Sequence, residues 1–195
     1  MAQGTAQDSG HARSQGLDVR IGATASVIGA AVFLASLSAG TDEPSWVRLL
    51  VATVICALLV CTVAVDLEQH RIPNRATGPA AIVLLLLLLS AAAAADGGWS
   101  RLAVAVLGVM AVAAGGIVLT VVAGMGMGDV KLLAVLALPI GWLSPHAVLP
   151  LVVVTVLAQG IAALFLLATR RSEPTDHLPM AASIGIGAAV ALALI

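Results

Sequence analysis

The chain has 195 residues, 61% of them hydrophobic and 10% charged, with a net charge of −1 and a mean hydropathy of +1.10. A soluble domain carries about 25% charged residues, so lipid is the main solvent for this chain, and 9 basic against 10 acidic side chains give a nucleic-acid partner no electrostatic support. Its two cysteines, Cys56 and Cys61, stand five apart in one apolar run, which excludes a Cys-x-x-Cys zinc ribbon and reads as a pair of small buried hydrophobes.

Residues 1–20 are a polar tail rich in Gln, Ser and Gly, expected to be disordered and cytoplasmic. Residues 21–195 read as a single transmembrane domain. A helix needs about 20 apolar residues to cross a bilayer, and the runs fit that ruler. Ile21–Ala39 is uncharged. Its Ala35-Ser36-Leu37-Ser38-Ala39 resembles a signal-peptide cleavage site, but the long, weakly basic tail ahead of it favours a retained span. Trp46–Val65 carries one charge, Arg48, close enough to its end to snorkel. Pro79–Ala95 contains Leu84 to Leu89 without interruption, and Leu102–Ala123 is uncharged with Gly115-Gly116 inside it.

Leu132–Thr169 is too long for one span, and Pro139, Gly141, Pro145 and Pro150 punctuate it. It divides into a short helix to about Leu143 and a second from about Ala147. Leu178–Ile195 is the last span. The fold class is therefore all-α, a polytopic integral membrane protein of about seven transmembrane helices, or six if the first is cleaved or absent. Trp46, Trp99 and Trp142 fall near the outer span ends and read as interfacial anchors.

With the N-terminus inside, the cytoplasmic segments hold Arg13, Arg20, Arg71, Arg75, Lys131, Arg170 and Arg171, and the outer ones hold Arg48 and Arg101. That bias sets the orientation. It puts Asp66, Asp129 and the Glu173–His177 loop on the cytoplasmic side. Acids beside hydrocarbon are costly and are functional candidates by default.

Asp129 follows Gly124-Met125-Gly126-Met127-Gly128, and a helix is expected to begin at it. It could be simply an N-cap above a tight turn. A dinucleotide site is excluded, since no strand precedes the glycines and the G-x-G-x-x-G spacing is missing. Asp66 ends an apolar helix, where the helix dipole disfavours a carboxylate. Pro73 then pushes Ile72 towards extended backbone. Alone, Asp66 could be an interfacial acid in a polar loop with Glu68 and Arg71. Together the two suggest a carboxyl dyad in which one member is ionised and takes a proton from water, while the other stays protonated and hydrogen-bonds a scissile carbonyl. Helix-end electrostatics make Asp129 the expected base and Asp66 the expected proton holder.

With these residues in view the chain resembles the prepilin peptidases, polytopic aspartic proteases that remove leader peptides from type IV pilins and related subunits. Asp66 followed by Ile72-Pro73-Asn74 is similar to the family's first aspartate segment. Gly126-Met127-Gly128-Asp129-Val130-Lys131-Leu132 matches the second, Gly-x-Gly-Asp-x-Lys-Leu. Leu178-Pro179-Met180-Ala181, with Gly185 and Gly187, is similar to the start of the last helix, although Met180 stands where an aromatic is common and Ala181 and Ala182 replace Gly or Pro.

The resemblance implies Asp66 and Asp129 as catalytic residues, with Gly126, Gly128, Lys131, Ile72, Pro73 and Asn74 supporting them. It implies cleavage of a basic leader at the cytoplasmic face of a prokaryotic inner membrane, without metal or other cofactor. The expected partners are a prepilin or pseudopilin, the bilayer and pilus-assembly or secretion machinery. Larger members carry a loop with paired Cys-x-x-Cys motifs and N-methylate the new terminus; this chain looks like the short, peptidase-only form, so no methyltransferase activity is expected.

Glu68, Glu173 and Asp176 could attract a basic leader or be solvated loop charges. Lys131 could lower the proton affinity of the dyad, anchor a substrate carbonyl or simply snorkel. His70 and His177 are unpaired in sequence and carry no expected metal role. Two other classes would hold membrane acids. A small proton-coupled transporter would place them at mid-bilayer in broken helices, and a non-catalytic membrane subunit would need neither aspartate segment.

Overall fold

Backbone amides and carbonyls in hydrocarbon must be satisfied within their own segment, and the chain meets that demand with helices. The structure, a computed structural model, describes residues 27–32, 34, 44–69, 74–168 and 180–195. After a helical stretch at 27–32 come α1 (Ser45–Gln69), α2 (Asn74–Ala94), α3 (Gly98–Ala123), α4 (Met127–Leu143), a 3-10 turn (Pro145–Ala147), α5 (Val148–Ala168) and α6 (Ala181–Ala193). Among the described residues, four segments are long and apolar enough to cross a membrane: Ser45–Asp66, Thr77–Ala94, Gly98–Val122 and Pro145–Phe165. Seven crossings would further require the 27–32 region, α4 and α6.

The layout explains why α4 can be short. It lies at the centre, packed against α2, α3, α5 and α6, and Val130, Leu132, Leu133 and every residue from Leu136 to Trp142 are buried. At 17 residues it extends about 25 Å. Trp142 is consequently a core residue, 2% exposed, and not the interfacial anchor its place near a span end suggests. Trp46 and Trp99 are exposed, at 50% and 62%. Cys56 is half-buried and donates its thiol to the Gly29 carbonyl at 3.4 Å, whereas Cys61 faces outward, contrary to its reading as buried.

Tight helix pairs carry the packing. A Cβ on Gly116 of α3 would come within 2.6 Å of Val130 on α4, so the glycine lets those two helices close directly above the α3–α4 turn. That turn is three residues long, and Gly124 adopts φ 69°, a conformation costly for any residue with a Cβ. On the other side, α6 sets Ser183, Gly187 and Ala191, one turn apart, into the bundle. A Cβ on Gly187 would strike Thr155 Oγ1 and approach the Leu151 carbonyl of α5.

Three boundaries differ from the sequence expectation. α1 continues to Gln69, so Asp66 lies inside its last turn. α2 begins at Asn74, ahead of Pro79, which sits within the helix. α6 is 13 residues long. The division of Leu132–Thr169 falls where the prolines put it: α4 ends at Leu143, Ser144 is extended, and Pro145 opens the 3-10 turn.

Candidate active site

The last turn of α1 presents a polar face to the bundle. Thr62 is fully buried and donates to the Leu58 carbonyl at 2.8 Å, satisfying its hydroxyl inside its own helix. One turn later Asp66 is 4% exposed. Its Oδ2 accepts a hydrogen bond of 2.8 Å from the backbone N–H of Ala181, the first residue of α6. The C-terminal end of α1 disfavours a carboxylate, but the N-terminal end of α6 meets it with an amide that has no acceptor in its own helix.

Asp129 is positioned from within its own segment. Gly126 is the N-cap of α4, with extended backbone, and Asp129 is the third helical residue. The cap is therefore three positions, and the helix start two positions, ahead of Asp129, where the sequence expectation put them. The Asp129 N–H donates to the Gly126 carbonyl at 3.0 Å, and the Gly126 N–H donates back to the Asp129 carboxylate. This is the reach-back half of a capping box, with Asp in the place usual for Glu. A Cβ on Gly126 would stand 2.6 Å from Asp129 Oδ2, so glycine is what lets the carboxylate fold over the turn.

The two acids interact electrostatically although they lie on different helices. Asp129, outside the four membrane-length segments, has its pKa pushed up from 3.8 to about 6 by burial first and by the charge of Asp66 second, with the Gly126 N–H opposing. Burial opposes the effect of the helix start on Asp129, and the Ala181 amide opposes the effect of the helix end on Asp66. The sequence expectation weighed each acid only against its own helix. It missed the amide that a third helix brings to Asp66 and the burial that α4 suffers as the central helix.

Of the other expected site residues, Gly126 ends the turn into α4, Gly128 is the second residue of that helix, next to Asp129, and Lys131 is exposed two residues further on. Asn74 opens α2 and Glu68 lies in the last turn of α1. Ile72, Pro73, Glu173 and Asp176 lie outside the described residues. Sequence reasoning missed the Ala181 amide and a hydrogen bond of 2.8 Å from Ser183 Oγ of α6 to Gln159 Oε1 of α5. A backbone donor has no residue-type signature, but a polar residue in each of two apolar runs was a signal that could have found the second. Among the described residues no three His, Cys, Asp or Glu side chains cluster as metal ligands would.

Two carboxyls that interact strongly titrate as a pair. Between its two titrations such a pair holds a single proton. That is the state needed to activate water on one side and polarise a carbonyl on the other.

A family model described as the type IV leader peptidase family matches residues 53–168, more than half of the chain, and the match spans both aspartates. No curated protein and no solved structure matches it.

Proposed function

The chain belongs to the type IV leader peptidase family, and from that premise we propose that it is an aspartic endopeptidase of the bacterial or archaeal inner membrane that removes the basic leader of a prepilin-like precursor at the cytoplasmic face. The observation that supports the reading is the electrostatic interaction across helices between Asp66, in the last turn of α1, and Asp129, in the first turn of α4, by which the charge of Asp66 raises the proton affinity of Asp129. In this reading the ionised carboxylate takes a proton from a water molecule as its oxygen attacks the scissile carbonyl. The protonated carboxyl donates a hydrogen bond to the carbonyl oxygen and stabilises the oxyanion that develops. Collapse of the tetrahedral adduct breaks the C–N bond, and the new amine leaves with a proton.

The position of the pair supports proteolysis over transport. Asp66 is in the last turn of α1 and Asp129 in the first turn of α4, at helix ends that the distribution of Lys and Arg assigns to the cytoplasm. A leader anchored by the apolar helix of its precursor would present its cleavage site at that depth.

The test is co-expression of the full chain with pilin precursors bearing short basic leaders, in a host lacking its own leader peptidase. The expected result is loss of the leader that depends on both Asp66 and Asp129 and persists in chelator. Retention of every leader by the wild-type chain would overturn the proposal.

A further inference from the structure

We propose that the first turn of α6 belongs to the catalytic apparatus: the backbone N–H of Ala181 is a positioning group that holds the Asp66 carboxylate as the ionised partner of the dyad, and the Gln159–Ser183 hydrogen bond keeps that turn in place. The proposal rests on the peptidase reading and adds what that reading lacks, a physical reason for the two carboxyls to differ. It also assigns a role to residues beyond the matched stretch 53–168.

The geometry is direct. The first amides of a helix have no intrahelical acceptor, and Ala181 places one of them 2.8 Å from Asp66 Oδ2. An N–H can only donate, so on a carboxyl group it favours the ionised form. The α6 helix has 13 residues, enough for its N-terminal end to add a favourable field. Burial of Asp66, which is 4% exposed, and the negative end of α1 act in the other sense, and the charge-assisted hydrogen bond from Ala181 is what opposes them. No ionisable side chain lies in Ala181–Ala193. Asp129 and Lys131 on α4, Glu68 on α1 and Arg75 in α2 are the ionisable residues at this end of the described helices. Among the described residues, the hydrogen bond that favours ionised Asp129 comes from the amide of its own turn, at Gly126. The asymmetry makes Asp66 the base and Asp129 the proton donor to the carbonyl.

A hydrogen bond of fixed length requires α6 to sit at a fixed height, and two features provide that. Ser183, 6% exposed, donates to Gln159. One turn on, Gly187 packs so closely on Thr155 and Leu151 that the helices can slide little. The clamp lies on the α5-facing side of α6, half a turn from the amide that it steadies.

The decisive experiment deletes the donor without changing a side chain. In the full-length protein, Ala181 is replaced by lactic acid through nonsense suppression, converting the amide to an ester. Leader cleavage is then measured against pH. The expected result is a fall of about ten- to a hundredfold in kcat with KM within about twofold, the scale of a hydrogen bond to a charged group, and an acidic limb displaced to higher pH. The same ester at Ala182 should leave kcat within about twofold, and Gln159→Leu should lower kcat about fivefold in the same pH-dependent manner.

A second readout is independent of catalysis: a double-mutant cycle on the thermal midpoint between Asp66→Ala, which removes the acceptor, and the 181 ester, in which coupling reports the bond itself. Unchanged kcat and pH profile in the 181 ester, or an equal loss from the 182 ester, would overturn the proposal whatever the cycle shows. Coupling in a chain that cleaves no leader would instead overturn the peptidase reading, and the catalytic role with it, while leaving the bond intact.

Discussion

The two aspartate segments solve the same problem in opposite ways. Asp129 is placed by its neighbours: Gly126 caps α4, exchanges backbone hydrogen bonds with it and leaves room for its carboxylate. Asp66 is placed by a stranger, an amide 115 residues away at the head of α6. A locally built carboxylate survives small shifts of the bundle but has little to offset its burial. One held across helices is better solvated by protein dipoles but depends on the register of another element. The difference teaches that the dyad's chemical asymmetry is one of architecture, since the side chains are identical.

The bluntest way to break the comparison is to remove each acid in turn. Asp66→Asn and Asp129→Asn should each lower kcat/KM by about 10⁴-fold or more, and the double variant should be little worse than either, because members of a catalytic unit are not additive. Leader cleavage by purified variants in detergent or liposomes measures this. Near-normal activity in either single variant would remove the dyad and leave one working acid.

A sharper cut acts on Asp129 through its turn. Gly126 has φ −65° and ψ 137°, which any residue adopts, so Gly126→Ala carries no backbone penalty. Its Cβ nevertheless collides with the carboxylate at 2.6 Å. The side chain must swing away, costing about 10²-fold in kcat through misplacement, while folding in detergent is retained. Because the lost Gly126 N–H had favoured the ionised form, the alkaline limb of this variant should also move to higher pH. A loss of activity matched by loss of folded protein would mean that the glycine serves only the turn.

How much of this was legible in the sequence follows the same local–distant divide. The apolar runs of α1, α2 and α3 announce themselves by length, and Pro145 ends α4 because a proline cannot continue the hydrogen-bond ladder. Gly126-Met127-Gly128-Asp129 advertises its turn through residue types, although the helix starts two residues earlier than those types suggest. Trp142 was misread because hydropathy reports whether a residue avoids water, and a residue buried in protein satisfies that as well as one at the lipid interface. The Ala181 amide was invisible, since any residue but proline could supply it.

The pH profile separates the two role assignments. If Asp129 donates the proton, kcat/KM of the wild-type chain should fall as pH rises through about 6, tenfold per unit once the group is ionised. If Asp129 were the base, as its place at a helix start implies, the rate would rise through the same range. The sign of that slope, measured on a leader peptide between pH 5 and pH 8, decides which carboxylate activates water.

The smallest effect concerns stability, and it tests the claim that Asp129 is the less compensated acid. A carboxyl whose folded pKa stands above its unfolded value binds its proton more tightly when folded. Its ionised form therefore costs stability above about 6, and the cost fades as pH falls towards 3.8, where both states are protonated. Asn carries no charge, fits the same space and still offers the Gly126 N–H an oxygen to bond. Asp129→Asn should thus raise the thermal midpoint by about 2–4 °C at pH 7.5 and leave it unchanged near pH 4. Asp66→Asn should behave differently, because the amide replaces a carboxylate that Ala181 already satisfies: its midpoint should not rise at pH 7.5. Equal gains from both substitutions would show that the α6 amide does nothing particular for Asp66, and the contrast between the two segments would collapse to one of burial alone.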